Sequence, residues 1–337
     1  MKYIATFGAL VLAACAPVDG ARDMPTGEAA GAVAPTLFVA NKRGNTLSKI
    51  DLATGEEVLR RDSCENPHEL ATSPDDTLVA LACYGGTSVD LFRTDTLELQ
   101  ASIDLGENAR PHGIVWVEEG AIYVTAEGRK SIFRVQNPAN PDRELTEYPT
   151  GQEGSHMVAV AADRRTAWTT DLGSKTATRI DLTGASTPLS VTVGEEPEGI
   201  ALSPDGMTLW VSARGSDRAF ALDPATMEIR QTVDTGRFPL RLAIRPQGDV
   251  AVTSNLRDGS LNVIDLASAE VIRTIAVSSP ETAQERFQVT IRWSDDGERI
   301  YVAETASNTV AEVDYASGTV LRRLPAGEGG DGLAILP

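Results

Sequence analysis

The 337-residue chain holds three histidines, His68, His112 and His156, and each lies 44 residues from the next. They stand in "ENPHELATSPDD", "ARPHGIVWVEEG" and "EGSHMVAVAADR", in each case two residues before an apolar residue that opens a strand-like run. Neutral imidazole is a good ligand for zinc, copper or iron, and three imidazoles leave coordination positions for water, a carboxylate or a substrate. Calcium fits less well, because it prefers an all-oxygen shell. A metal-free, hydrogen-bonded polar plug around water is the other chemistry open to such a group.

A shared register presupposes a repeat, and the sequence has one. The segments "PHELATSPDDTLVALAC", "PHGIVWVEEGAIYVTAE", "SHMVAVAADRRTAWTTD" and "PEGIALSPDGMTLWVSA" follow one plan, continued in "PLRLAIRPQGDVAVTSN", "VTIRWSDDGERIYVAET" and the terminal "DGLAILP". An apolar strand runs into an Asp/Gly/Pro turn, a second strand follows, and a third ends in "ID" or a close variant, as in "SKIDLATGE" and "NVIDLASAE". Four short strands in about 42 to 49 residues, with alternating apolar positions and almost no helical period, predict an all-β, seven-bladed β-propeller. The count reaches seven when the C-terminal strand completes the first blade, which joins the chain ends and removes an unpaired edge. The "SPDG" and "DDG" stretches read as hairpin turns. The tryptophans Trp116, Trp168, Trp210 and Trp293 read as packing between blades.

The segments "PEGIALSPDGMTLWVSARGSDRAFALDPAT" and "DDGERIYVAETASNTVAEVDYASGTV" resemble the YVTN-type repeats of bacterial seven-bladed propellers, and the resemblance covers residues 36–337. It implies that the first strand of each blade lines a central tunnel and opens on one face. The seven mouth positions are then Asp331, His68, His112, His156, Glu198, Leu240 and Val289. On this reading His68, His112 and His156 hold a transition metal, and Glu198 is a fourth ligand or a general base. Asp331 orients His68, while Leu240 and Val289 form an apolar wall. Loops after the second strands add Asn41, Lys42, Arg43, Tyr84, Glu127, Arg129, Asp171, Arg214, Asn255, Arg257 and Glu304 to this face. Arg214, Arg241 and Arg257 gather on blades five and six, which suits an anionic ligand. Propellers of this type include binding proteins, enzymes such as lactonases, lyases and oxidases, and scaffolds. The expectations are therefore a metal and small-ligand binder, a metal-dependent enzyme, or a metal-free interaction scaffold of the cell envelope, in each case a monomer.

The N-terminal "MKYIATFGALVLAACAP" resembles a bacterial lipoprotein signal, with Lys2, an apolar run too short to span a bilayer, and "LAAC" ending at Cys15. This implies a signal peptide over 1–14, a lipidated Cys15 and a flexible Ala/Gly/Pro-rich tether to residue 35. The resemblance further implies a periplasmic protein on the outer membrane, touching lipid only through its anchor. In that oxidising compartment Cys64 and Cys83 are expected to form a disulfide, although Cys64 lies four residues before His68 and is also a possible thiolate ligand.

Composition excludes other classes. A net charge of −18 disfavours nucleic acid and anionic membrane surfaces, which are bound by displacing counterions with lysine and arginine. No G-x-S-x-G, P-loop, dinucleotide fingerprint or C-x-x-C-H motif is present in a suitable context. With every histidine in one register, a separate His-activated nucleophile has no base.

Overall fold

A computed structural model describes residues 35–337. Cys15 and the signal and tether segments before residue 35 lie outside the described residues. The described chain forms seven four-stranded antiparallel sheets, each running from an inner strand to an outer one. The first blade contains β1 (Thr36–Asn41), β2 (Thr46–Asp51) and β3 (Glu57–Asp62), and the last strand of the chain, β28 (Gly330–Leu336), is its inner strand. β28 pairs with β1 over Leu37↔Ile335 and Val39↔Leu333, so the two ends of the propeller share one sheet.

The inner strands of blades two to seven are β4 (Pro67–Thr72), β8 (Pro111–Trp116), β12 (Ser155–Val160), β16 (Pro197–Leu202), β20 (Pro239–Ile244) and β24 (Gln288–Trp293). Alternation of apolar residues sends side chains to both faces of each sheet, so the core lies between blades. Each of the seven contacts between neighbouring sheets holds its own buried apolar cluster. Tryptophans join them as expected: Trp168 donates Nε1–H to Pro224 O in the next blade at 2.9 Å, and Trp293 donates to Ala243 O at 3.2 Å.

All seven inner strands begin alike. A residue with positive φ comes first, among them Asn66, Arg110, Glu196 and Phe238, and two residues later stands the mouth position. At that point every inner strand gains an extra residue against its partner, a β-bulge. A bulge re-aims the side chains beside it, so it presents mouth residues that a regular strand would direct differently. Hydroxyls then lock neighbouring blades. Thr125 donates to His156 O, Thr170 to Glu198 O and Ser254 to Val289 O, each at 2.7 Å.

Glycine sets how near the inner strands come. A Cβ on Gly113 would lie 2.6 Å from both His156 O and Met157 Cα, and one on Gly332 would lie 2.0 Å from His68 O. Gly113→Val is therefore expected to destabilise the fold by about 3 kcal/mol, the scale of overpacking a rigid core. Gly86→Ala, whose Cβ would meet only Cys83 O at 3.8 Å, is the control and should change stability by less than about 0.5 kcal/mol. Urea denaturation of the two variants beside the parent measures both.

Candidate functional site

The bulges bring the three imidazoles together from β4, β8 and β12. Ring centroids of His68 and His112 are 4.8 Å apart, and those of His112 and His156 are 3.6 Å apart. His112 and His156 are buried. Each outer histidine is oriented by its Nδ1. That of His68 lies 3.0 Å from Asn66 O, and that of His156 is hydrogen-bonded to a Glu127 oxygen. A carbonyl or an ionised carboxylate only accepts, so both Nδ1 atoms carry a proton. The Nδ1 of His112 is buried and has no hydrogen-bond partner among the described residues.

Carboxylates close the arc at both ends. Asp331, from β28, lies 3.9 Å from His68 Nε2 and accepts from Lys42 Nζ at 2.8 Å. Glu198, from β16, accepts from His156 Nε2 at 3.3 Å and from Arg214 and Arg241. Arg241 reaches across the tunnel and also donates to Glu69 Oε1 at 2.8 Å, while Thr290 donates to the same oxygen at 3.4 Å. Glu69, Arg241, Glu198 and Thr290 are all buried and form a polar layer at the tunnel axis.

Electrostatics follow this geometry. Burial, reinforced by the neighbouring His156 and His68, holds His112 well below the usual imidazole range, so it is neutral. Burial likewise lowers His68. His156 is the opposite case: burial opposes its charge, but Glu198 and then Glu127 outweigh it and raise its pKa. Glu198 would be raised by burial, yet Arg241, His156 and Arg214 hold it far below the carboxylate range. Such an ion is a poor proton acceptor at neutral pH, which counts against the general-base role expected of Glu198. Asp331 is lowered too, because Lys42 and His68 overcome its burial.

Other expected site residues are sorted by the fold. Leu240 and Val289 do not form an exposed wall; they are buried with Leu37, Leu333 and Ala303 in the core between blades, and the residues after them, Arg241 and Thr290, meet Glu69 instead. Arg214 and Arg241 are engaged by carboxylates. Arg257 stands apart from that layer, with its guanidinium 4.4 Å from the centroid of Phe238. Asn41, Asp171, Asn255 and Glu304 are buried inside blades, where Asp171, for example, accepts from Ser155, Thr169, Thr176 and Thr178. Arg43 reaches Thr305 O at 2.6 Å, and Arg129 pairs with Glu147 at 2.7 Å. Lys42, Tyr84, Glu127 and Arg214 do reach the mouth, and each directly follows a second strand.

Glu69 is the residue that sequence reasoning missed. It stands next to His68 in "PHEL", where strict alternation turns it away from its neighbour's surroundings. The bulge removes that alternation.

Cys64 and Cys83 form a disulfide across 19 residues, which corrects the reading of Cys64 as a thiolate ligand. Among the described residues, the one set of three potential ligand atoms within 4.8 Å of one another is Cys64, Cys83 and Asp90, and the bonded sulfurs disqualify it as a metal centre. The disulfide ties the segment entering β4 to the strand that ends at Cys83, beside Tyr84, whose ring centroid is 4.6 Å from that of His68. Loop-closure entropy over that span predicts that Cys64→Ser with Cys83→Ser costs about 3 kcal/mol. Glu198→Gln weakens a buried ion cluster and is expected to cost about 3 to 5 kcal/mol. Guanidinium denaturation at neutral pH checks both values. For Glu198, whose folded pKa is depressed, the stabilisation should be present above the unfolded value and fade as pH falls through the folded one.

Comparison with known proteins agrees with the architecture. No curated protein matches the sequence. Among solved structures, hydrazine synthase of Kuenenia stuttgartiensis is similar, at 17% identity and a TM-score of 0.67, over 79% of this chain and 88% of that one. Apo AztD of Citrobacter koseri is similar at 16% identity and a TM-score of 0.64, over 90% and 97% of the two chains. Virginiamycin B lyase of Staphylococcus aureus gives 18% identity and a TM-score of 0.55, over 65% and 71%. At these identities the likeness is one of fold. Seven bladed sheets closed through the chain ends and a sequence match over residues 2–336 place the chain in the YNCE-like beta-propeller family.

Proposed function

We propose that the tunnel mouth binds a divalent transition metal through His68, His112 and His156, and through that metal a small ligand. The observation that carries this reading is the orientation of the imidazoles. Protons on Nδ1 of His68 and His156 are committed to Asn66 and Glu127, so Nε2 is the ring atom each would turn to a metal, that of His156 exchanging its hydrogen bond to Glu198 for the metal, and His112 keeps a buried nitrogen without a partner. Nitrogen donors from three blades, with carboxylates on both sides, form a donor set that suits zinc, copper or iron. When bound, the metal would supply Lewis acidity toward a coordinated ligand. Glu198 is assigned to the ion layer with Arg241, hydrogen-bonded to His156 and held too weakly basic by Arg241, His156 and Arg214 to act as a general base.

The test is elemental analysis of the soluble domain and its His112→Ala variant, purified without a histidine tag or chelator. A near-stoichiometric metal that disappears in a folded variant is the expected result. No metal in either protein after reconstitution with zinc, copper and iron overturns the reading.

For location, we propose a lipid-anchored periplasmic protein, on the strength of the "LAAC" stretch ending at Cys15. Expression of the full chain in a Gram-negative cell should place it in the detergent phase of a phase partition, and Cys15→Ser should move it to the aqueous phase. Equal partition of the two forms overturns the anchor.

A further inference from the structure

The network around His156 extends outward through three blades. Glu127, the residue after the second strand of blade three, reaches the next blade to hold His156 Nδ1. Its other oxygen accepts from Tyr84 Oη at 2.8 Å, and Tyr84 comes from blade two. Arg110 donates to the same phenol, lies over its ring at 4.5 Å, and approaches Glu127 at 4.0 Å. Tyr84 in turn packs on His68 and meets the His112 ring edge-on at a centroid distance of 5.5 Å. Both oxygens of a carboxylate whose side chain is 9% exposed are thus used, one inward on an imidazole and one outward on a phenol.

We infer that Glu127 is a positioning residue, held by Tyr84 and Arg110, that fixes a proton of His156 on Nδ1, so that Nε2, which donates to Glu198 in the metal-free chain, is the ring atom a metal would take. The inference rests on the proposed metal site but concerns a residue outside the ligand set. Its physical basis is that an ionised carboxylate accepts and never donates, so the bonded ring nitrogen must carry hydrogen. Without Glu127 the carboxylate left on the His156 ring is Glu198, which keeps the proton on Nε2, and that tautomer removes a donor from the tunnel side. A merely structural role would require only that something of similar size fill the space.

The chain has three histidines, so selective 15N-histidine labelling gives three ring systems, a spectrum simple enough to assign by substitution. The labelled protein is compared with Glu127→Met, which keeps the bulk and removes the acceptor, and with Glu127→Gln, whose amide oxygen can still accept. Two quantities are read: the exchange-protected Nδ1–H resonance of His156 in metal-free protein, and zinc affinity by competition with a chelating dye. The expected result is that Glu127→Met loses the protected resonance and binds zinc roughly ten- to a hundred-fold more weakly, while Glu127→Gln retains the resonance and most of the affinity. Retention of both resonance and affinity by Glu127→Met overturns the inference. If that variant fails to fold, Glu127→Ala is read by the same two criteria: loss of resonance and affinity supports the inference, and retention of both overturns it. A parent protein that takes up no zinc overturns the metal reading alone, because the His156 resonance still decides the role of Glu127 in the metal-free chain.

Discussion

The pairing of β28 with β1 is the constraint on which the remainder depends. A ring of sheets packed face to face has no core at an unclosed gap, and each blade buries its apolar faces only if it has two neighbours. Closing the ring through a sheet built from both chain ends supplies the last neighbour. It also has a local consequence. Asp331, near the C-terminus, comes beside His68, and Lys42, from the first blade, reaches Asp331. One end of the histidine arc is therefore assembled from the two ends of the propeller chain.

Within the closed ring, the site is shaped by the meeting of strict repetition with a few departures from it. The backbone device is the same seven times: positive φ, mouth residue, bulge. What differs is the side chain delivered there. Three imidazoles and two carboxylates fall on consecutive blades, and the two blades that carry Leu240 and Val289 bury them in the core. Arg241, one residue later, then occupies the axis. Its charge is costly to bury alone, and it is accompanied by Glu198 from the neighbouring blade and Glu69 from across the tunnel. The mouth thus combines a neutral His112, a His156 held between Glu127 and Glu198, and a layer of ion pairs around Arg241.

Much of this was legible in the chain. The 44-residue spacing of the histidines, the turn-bearing strand repeats and the incomplete blade at each end specified seven sheets and the register of the mouth, because strand periodicity and turn chemistry are local properties. The roles of individual mouth residues were less legible. The repeat register assigned Leu240 and Val289 to a wall and alternation hid Glu69, since a bulge changes direction by one residue without leaving a distinct residue type behind. The hub role of Asp171, Asn255 and Glu304 was equally hidden, because a polar residue at a strand end reads the same whether its partners are solvent or the hydroxyls of its own blade.

The sequence by itself determined the number of blades, the closure by the last strand and the common level of the three histidines, each a consequence of repeat length and pattern. Only the tertiary structure decided which polar groups are partners: that Arg241 spans from Glu198 to Glu69, that Glu127 serves His156 in the next blade, and that the sulfurs of Cys64 and Cys83 are joined to each other. The reason is physical. Strand and turn formation depend on neighbours a few residues away, whereas hydrogen bonds and ion pairs at the axis depend on ångström-scale distances between strands from different blades, which the packed ring alone fixes.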